Sequence, residues 1–280
     1  MGTGNVAKNA FAGNQPYQIR ARLALPILVR QAKAGEPIEY GNLARELGIS
    51  HHRPINYILG AAGRALKDLE VEWGTRFPVL TAVVVNKGTK QPSDGISEFL
   101  DDPETFRSAS VELRQRIVDK VLFQVYAERR WDEVLYHWGL NPVPAVGPVP
   151  IPIRGGAPEG EAHRQLKEFV AAHPEAIGLS RSDRGVIEAL LPSGDEVDVL
   201  FFAKSGLIGI EIKAHTAPDS EIARGMYQCV KYQAVLRAKQ KADQVPVDAC
   251  SWLVLDRSLP DTLVPLQNTL GIQVVVVRSS

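Results

Sequence analysis

The spacing of apolar positions changes once along the chain. In the first half they recur at helical intervals; in the second they alternate as on strands. Residues 18–34 and 40–47 read as helices, with Gly48 as a stop signal. Ile49-Ser50-His51-His52-Arg53-Pro54 reads as a short turn, and Pro54 suits the first turn of the helix that follows. That helix, 55–69, carries Ile55, Ile58, Leu59, Ala62, Leu66 and Leu69 close to a 3.6-residue period. Residues 79–85 are expected as a strand, Lys87-Gly88-Thr89-Lys90 as a turn, and 108–140 as one or two helices. Residues 141–157 are crowded with proline and end in Gly155-Gly156, a composition of semi-rigid linkers. Beyond it the reading is a helix at 159–172, strands at 185–191, 197–203 and 207–214, a long helix at 220–241, and buried strands at 250–255 and 272–277 around a short helix. The expected domains are therefore 1–140, a linker 141–157, and 158–280.

Charge and cysteines add limits. Lys+Arg and Asp+Glu are both 32, so the chain as a whole does not advertise a polyanion partner. The distribution is uneven: residues 1–96 carry 12 Lys/Arg against 7 Asp/Glu, while 158–280 carry 13 against 16. Attraction to nucleic acid is thus expected at the front. An acidic back domain is compatible with a bound cation that offsets its carboxylates. Two cysteines, Cys229 and Cys250, suggest neither a disulfide framework nor a zinc site, and neither has a nucleophile's setting. No apolar run approaches the roughly 20 residues of a membrane span. The N-terminus has no apolar signal core, so a cytoplasmic protein with reduced thiols is expected.

The chemistry concentrates in GDEVDVLFF followed by GLIGIEIKA. On a strand alternate residues share a face, so Glu211 and Lys213 point one way and Ile208, Ile210 and Ile212 the other. Asp198 sits near the start of the preceding strand, and in an antiparallel pair those ends meet. Charged groups on a sheet covered by helices lose solvation. A divalent metal resolves that conflict. Asp198, Glu211 and the backbone carbonyl of Ile212 are hard oxygen ligands suited to Mg²⁺, with Mn²⁺ an expected substitute. Lys213 is then placed to position a water or to stabilise the phosphorus centre. The competing reading is a plain hairpin salt bridge.

With its surroundings, this segment resembles the PD-(D/E)xK nuclease superfamily over residues 158–280. Asp198 falls on the family's first acidic position, preceded by Val197 in place of proline, and Glu211-Ile212-Lys213 falls on its ExK element. Gln228-Cys229-Val230-Lys231-Tyr232 matches the QxxxY element of the RecB-like branch, with Gln228 and Tyr232 on one helix face. The family often draws a glutamate from its first helix. Glu161 fits best and Glu159 is the alternative. The resemblance implies an αβββαβ restriction-endonuclease-like fold with a mixed sheet and Mg²⁺-dependent phosphodiester hydrolysis. It puts Asp198 and Glu211 on the metal, with Lys213 catalytic. His163 is expected as a surface or supporting residue. His215 is either a phosphate contact or a solvated loop histidine. Tyr227 and Lys231 are expected as helix surface, and Cys250 as core.

At the front, helix, short turn, helix, strand and basic turn follow the order of a winged helix-turn-helix. The base-reading candidates are His51, His52, Arg53, Asn56 and Tyr57, and the phosphate contacts Arg64, Lys67, Lys87 and Lys90. The stretch EYGNLARELGI…YILGAAGRAL…PVLTAVVVNKGT is similar to the DNA-binding domain of alkyltransferase-like proteins. That family's PCHR element is missing, and no cysteine precedes position 229, which argues against alkyl transfer. The expectation is a mainly α winged-helix domain addressing a Mg²⁺-dependent endonuclease to DNA, in restriction, phage defence or repair. The alternatives are a non-catalytic DNA-binding protein and an RNA nuclease. A clean double-strand break would point to a homodimer. No phosphate-binding loop is present, so a helicase or translocase would have to be a separate partner.

Overall fold

The computed structural model describes residues 11, 13–50, 54–144 and 160–277. The chain divides into two compact units, 1–145 and 146–280. Among the described residues no helix is long and apolar enough to cross a membrane.

The first unit is built on two 19-residue helices, α1 (Pro16–Ala34) and α3 (Ile55–Trp73), with α2 (Tyr40–Glu46) between them. Leu25, Leu28, Leu43, Ile55, Ile58 and Leu69 form its buried centre. Arg30 of α1 holds Glu46 of α2 through two hydrogen bonds of 2.8 and 2.6 Å, both side chains nearly buried. Breaking such a pair strands a charge in the core and costs about 3–5 kcal/mol. Gly63 allows a close approach: a Cβ there would sit 2.5 Å from the Phe99 ring. Further helices α4 (Pro103–Ser108), α5 (Val111–Ala127) and α6 (Trp131–His137) complete the unit.

The strand expected at 79–85 is largely absent. Leu80–Val83 is a 3-10 turn, and only Val84–Val85 (β2) is extended, pairing in parallel with β1 (Ile38–Glu39). A short buried apolar run fits a strand or a tight helical turn equally well, because both hide every side chain. The basic turn is present, closed by Asn86 and Gln91, but no antiparallel hairpin forms there among the described residues.

The second unit is a five-stranded sheet in the order β3-β4-β5-β6-β7. Its strands are Arg184–Leu190, Glu196–Ala203, Gly206–Lys213, Cys250–Leu255 and Gln273–Val276. β3, β4 and β5 pair antiparallel; β5, β6 and β7 pair in parallel. Helix α7 (Glu161–Ala172) covers one face, where Leu166 and Val170 pack on Val199, Phe201, Ile208, Ile210 and Ile212. Helix α8 (Asp219–Ala242) and the short α9 (Val264–Leu270) cover the other, against Leu253 and Leu255. Alternation along β5 and β6 thus serves two cores, as expected for strands buried on both sides. The expected mixed sheet is observed, with strand limits within one or two residues of those read from sequence.

Candidate active site at the open end of a hairpin

Strand β4 breaks the period-2 rule once. Val197 packs with Tyr232 and Leu236 on the α8 side, whereas Val199, two residues on, packs with Leu166 and Val170 on the α7 side. Asp198 sits at this slip. Directly across β3 the pairing skips Glu188, which adopts a left-handed backbone (φ 54°). Irregularities of this kind re-aim side chains near active sites. On its other edge β4 pairs with β5 from Ala203↔Gly206 only as far as Val199↔Ile210. Beyond that the hairpin opens, while Glu211, Ile212 and Lys213 remain paired with β6.

The opening is held by a side chain. Asp198 Oδ2 accepts the Ile212 N–H at 2.7 Å, where a ladder bond would otherwise form. In an extended strand a residue's N–H and C=O face the same edge. The Ile212 carbonyl therefore faces the same gap as Asp198. Asp198, Glu211 and Lys213, expected to converge, do meet here. Lys213 Nζ lies 2.5 Å from Glu211 Oε1, both side chains largely buried. Helix α8 comes close over them because position 225 is glycine. A Cβ there would meet Leu253 at 3.0 Å and both Glu211 and Lys213 at 3.3 Å.

Burial dominates the electrostatics. It pushes the Glu211 carboxyl up to about 7; the Lys213 charge opposes this and the Asp198 charge adds to it. Burial also pushes Asp198 upward, but the His163 and Ile212 hydrogen bonds and the charges of His163 and Lys213 outweigh it, leaving a lowered value. Lys213 loses solvation as well, yet Glu211, Asp198 and Glu221 hold it protonated above the usual lysine value. The site thus contains a firmly ionised aspartate, a firmly charged lysine and a buried glutamate short of positive charge.

The helix contribution differs from expectation. Glu161 is exposed and bound to Arg164 (2.7 Å) and Gln165 (2.7 Å), so it does not complete the site. Instead His163 Nε2 lies 3.4 Å from Asp198 Oδ1, the oxygen that Ile212 leaves free. The helical period carries the reason. His163, Leu166 and Val170 share the inward stripe of α7, while Glu161, Gln165 and Glu168 face out. Glu159 lies outside the described residues.

Gln228 and Tyr232 act on each other and on β4. Gln228 Nε2 donates to the Tyr232 hydroxyl at 3.1 Å, and that hydroxyl donates to the Glu196 carbonyl at 3.0 Å, two residues before Asp198. Burial, then the Glu211 charge, raises the Tyr232 phenol well above its ordinary value. Both are positioning residues. Lys231 pairs with Asp195 at 2.6 Å, Tyr227 is exposed, Cys229 is fully buried beside the site, and Cys250 is only half-buried.

In the first unit His51, His52 and Arg53 lie outside the described residues. Asn56 and Tyr57 are exposed at the start of α3. Arg64 pairs with Glu98 (3.2 Å), Lys67 with Glu70 (3.0 Å) and Lys90 with Glu39 (2.6 Å); Lys87 is exposed. Any phosphate contact by the first three replaces an existing ion pair.

The donor set fits a hard divalent cation. Among the described residues no group of three or more His, Cys, Asp or Glu side chains is arranged to hold a metal. Mg²⁺ asks for less: one or two carboxylates, with water and substrate oxygens filling the remaining positions. Asp198, Glu211 and the Ile212 carbonyl supply that set, and the undercompensated Glu211 is the group a cation would relieve.

No protein-family model matches the sequence, and no curated protein matches it. Two solved structures show a distant likeness. One is a complex of EndoMS with double-stranded DNA, at 19% identity, 46% coverage of this chain, 48% of that chain and a TM-score of 0.34. The other is a repair endonuclease from Pyrococcus abyssi, at 17% identity, 45% and 50% coverage and a TM-score of 0.33. This chain spans about half the length of each. At that level of likeness the functional reading rests on the site's own geometry.

Proposed function

We propose that this chain is a Mg²⁺-dependent DNA endonuclease, with a winged-helix-like front unit that addresses the cutter to DNA in restriction, phage defence or repair. The observation that carries the reading is the opened hairpin end, where Asp198 and Glu211 share a gap with the Ile212 carbonyl and Lys213 stands beside them. Asp198, Glu211 and that carbonyl would hold the metal. His163 steadies the free oxygen of Asp198. Mg²⁺ held there would supply an activated water and charge stabilisation at a phosphate oxygen. Lys213 orients the water and stabilises charge building on the phosphoryl group. Gln228 and Tyr232 fix the start of β4, and so the position of Asp198.

A second reading has its own support. The Glu211–Lys213 ion pair is close enough to be a purely structural tie. One assay separates the two: cleavage of plasmid, linear duplex, single-stranded DNA and RNA with Mg²⁺ or Mn²⁺. Lys213→Ala is expected to lower cleavage at least 100-fold, in line with loss of a charge-stabilising group. Equal behaviour of wild type and Lys213→Ala on every substrate overturns the catalytic reading. For the front unit, Arg53→Ala with Asn56→Ala is expected to weaken duplex binding about tenfold while leaving metal affinity intact. Unchanged DNA affinity removes the addressing role.

A further inference from the structure

The ends of β5 and β6 carry a second arrangement that the cleavage site does not use. His215 stands two residues beyond Lys213. Its Nδ1 lies 2.7 Å from Asp256 Oδ2, although the two are 41 positions apart. Asp256 directly follows Leu255, the register partner of Lys213. Both members of the pair therefore leave the sheet at the same end, next to Lys213. Asp256 is nearly buried, whereas the His215 side chain is 63% exposed. The second Asp256 oxygen, Oδ1, is buried without a hydrogen-bond partner.

Stability does not account for this pair. An ion pair with one exposed, screened partner contributes little to stability. A buried acceptor left unsatisfied costs more than such a contact returns. What the carboxylate does achieve is orientation. With Nδ1 tied to Asp256, the nitrogen left to face outward is Nε2, and in the imidazolium both nitrogens donate. The neighbouring cation, Arg257, is engaged through its Nη2, which donates to the Ala217 carbonyl at 2.9 Å and pairs with Asp219 at 3.1 Å, while its Nε is buried and does not face outward. It closes the 214–219 loop, leaving His215 as the outward donor. The carboxyl ends of parallel strands in open α/β sheets are where ligands bind, and an imidazolium held by a carboxylate makes a directed, charge-assisted bond to a phosphate oxygen.

We infer that His215, oriented by Asp256, is a substrate-contacting residue that binds the backbone phosphate of the nucleic acid next to the one cleaved beside Lys213. The inference rests on the nuclease reading of the adjoining site, and its test separates the two. Duplex affinity is measured on the full chain by fluorescence anisotropy at pH 6 in EDTA, across a salt series, for wild type, His215→Ala, His215→Arg and Asp256→Asn. KM and kcat are measured in parallel with Mg²⁺, and melting temperatures check folding. Loss of one charged phosphate contact is expected to weaken binding by about 5–10-fold and flatten the salt slope by up to about one. KM should rise by a similar factor while kcat moves less. His215→Arg should restore most of the affinity, and Asp256→Asn should fall between wild type and His215→Ala. Affinity, slope and KM of His215→Ala equal to those of wild type, in a protein that cuts, overturn this inference alone. A wild type that binds duplex but never cuts overturns the nuclease reading, and the affinity series still decides the role of His215.

Discussion

Glu211 offers the sharpest test of the site, because its cost is visible without substrate. Its carboxyl is held at about 7 against the usual 4.5. Between those values the folded protein keeps a proton that the unfolded chain has released, so stability falls as pH rises through this window. The difference corresponds to about 3 kcal/mol. Glu211 is almost wholly buried, so solvent screening gives little relief. Glutamine has the same shape, carries no charge and still accepts from Lys213. Glu211→Gln should therefore stabilise the metal-free back unit by up to about 3 kcal/mol at pH 8, raising its melting transition by roughly 10 °C. The gain should largely vanish at pH 5. Added Mg²⁺ or Mn²⁺ should reverse the order, stabilising wild type by mass action and leaving the variant unmoved. Scanning calorimetry in EDTA and in 5 mM metal at both pH values reads all of this. A Glu211→Gln protein that is less stable than wild type at pH 8, or that differs from it equally at both pH values, would refute the reasoning.

Two other predictions concern the supports. Tyr232→Phe removes the donor to the Glu196 carbonyl and the acceptor for Gln228. It should cost about 1–2 kcal/mol in denaturant unfolding and lower kcat several-fold, with DNA affinity unchanged. Gly225→Val places a branched side chain where even a Cβ would crowd Leu253, Glu211 and Lys213. It should destabilise by about 1–3 kcal/mol and weaken Mn²⁺ binding measured by calorimetry, whereas Gly185→Ala, whose nearest neighbours are Phe201 and Val199, should leave metal affinity alone.

Much of this site was legible in the pattern of residues. Strand alternation puts Glu211 and Lys213 on one face and three isoleucines on the other, and the structure keeps that division because both faces are covered. The helical face of Gln228 and Tyr232 was legible for the same reason. Two things were not. The slip at Asp198 lies opposite a left-handed residue in another strand, Glu188, and no local period reports it. The choice between Glu161 and His163 turns on which stripe of α7 faces inward. Leu166 and Val170 mark that stripe, but a helix thought to start at 159 hides the phase set by Gly160 as the cap. In the front unit, the buried apolar run 79–85 carries no phase at all, so its 3-10 turn could be recognised only once its neighbours were in place.

The Ile212 amide has a consequence for how the site can be probed. Its N–H orients Asp198, its carbonyl faces the same gap, and its side chain is buried in the α7 core. A conventional scan at position 212 would register only packing: Ile212→Val would look mild, and Ile212→Ala merely unstable. Replacing the residue-212 peptide bond with an ester by semisynthesis removes the N–H and keeps every side chain. Through that single backbone atom Asp198 would lose one of its two holds, so the most consequential chemistry at this position lies in a backbone group that no encoded residue but proline removes.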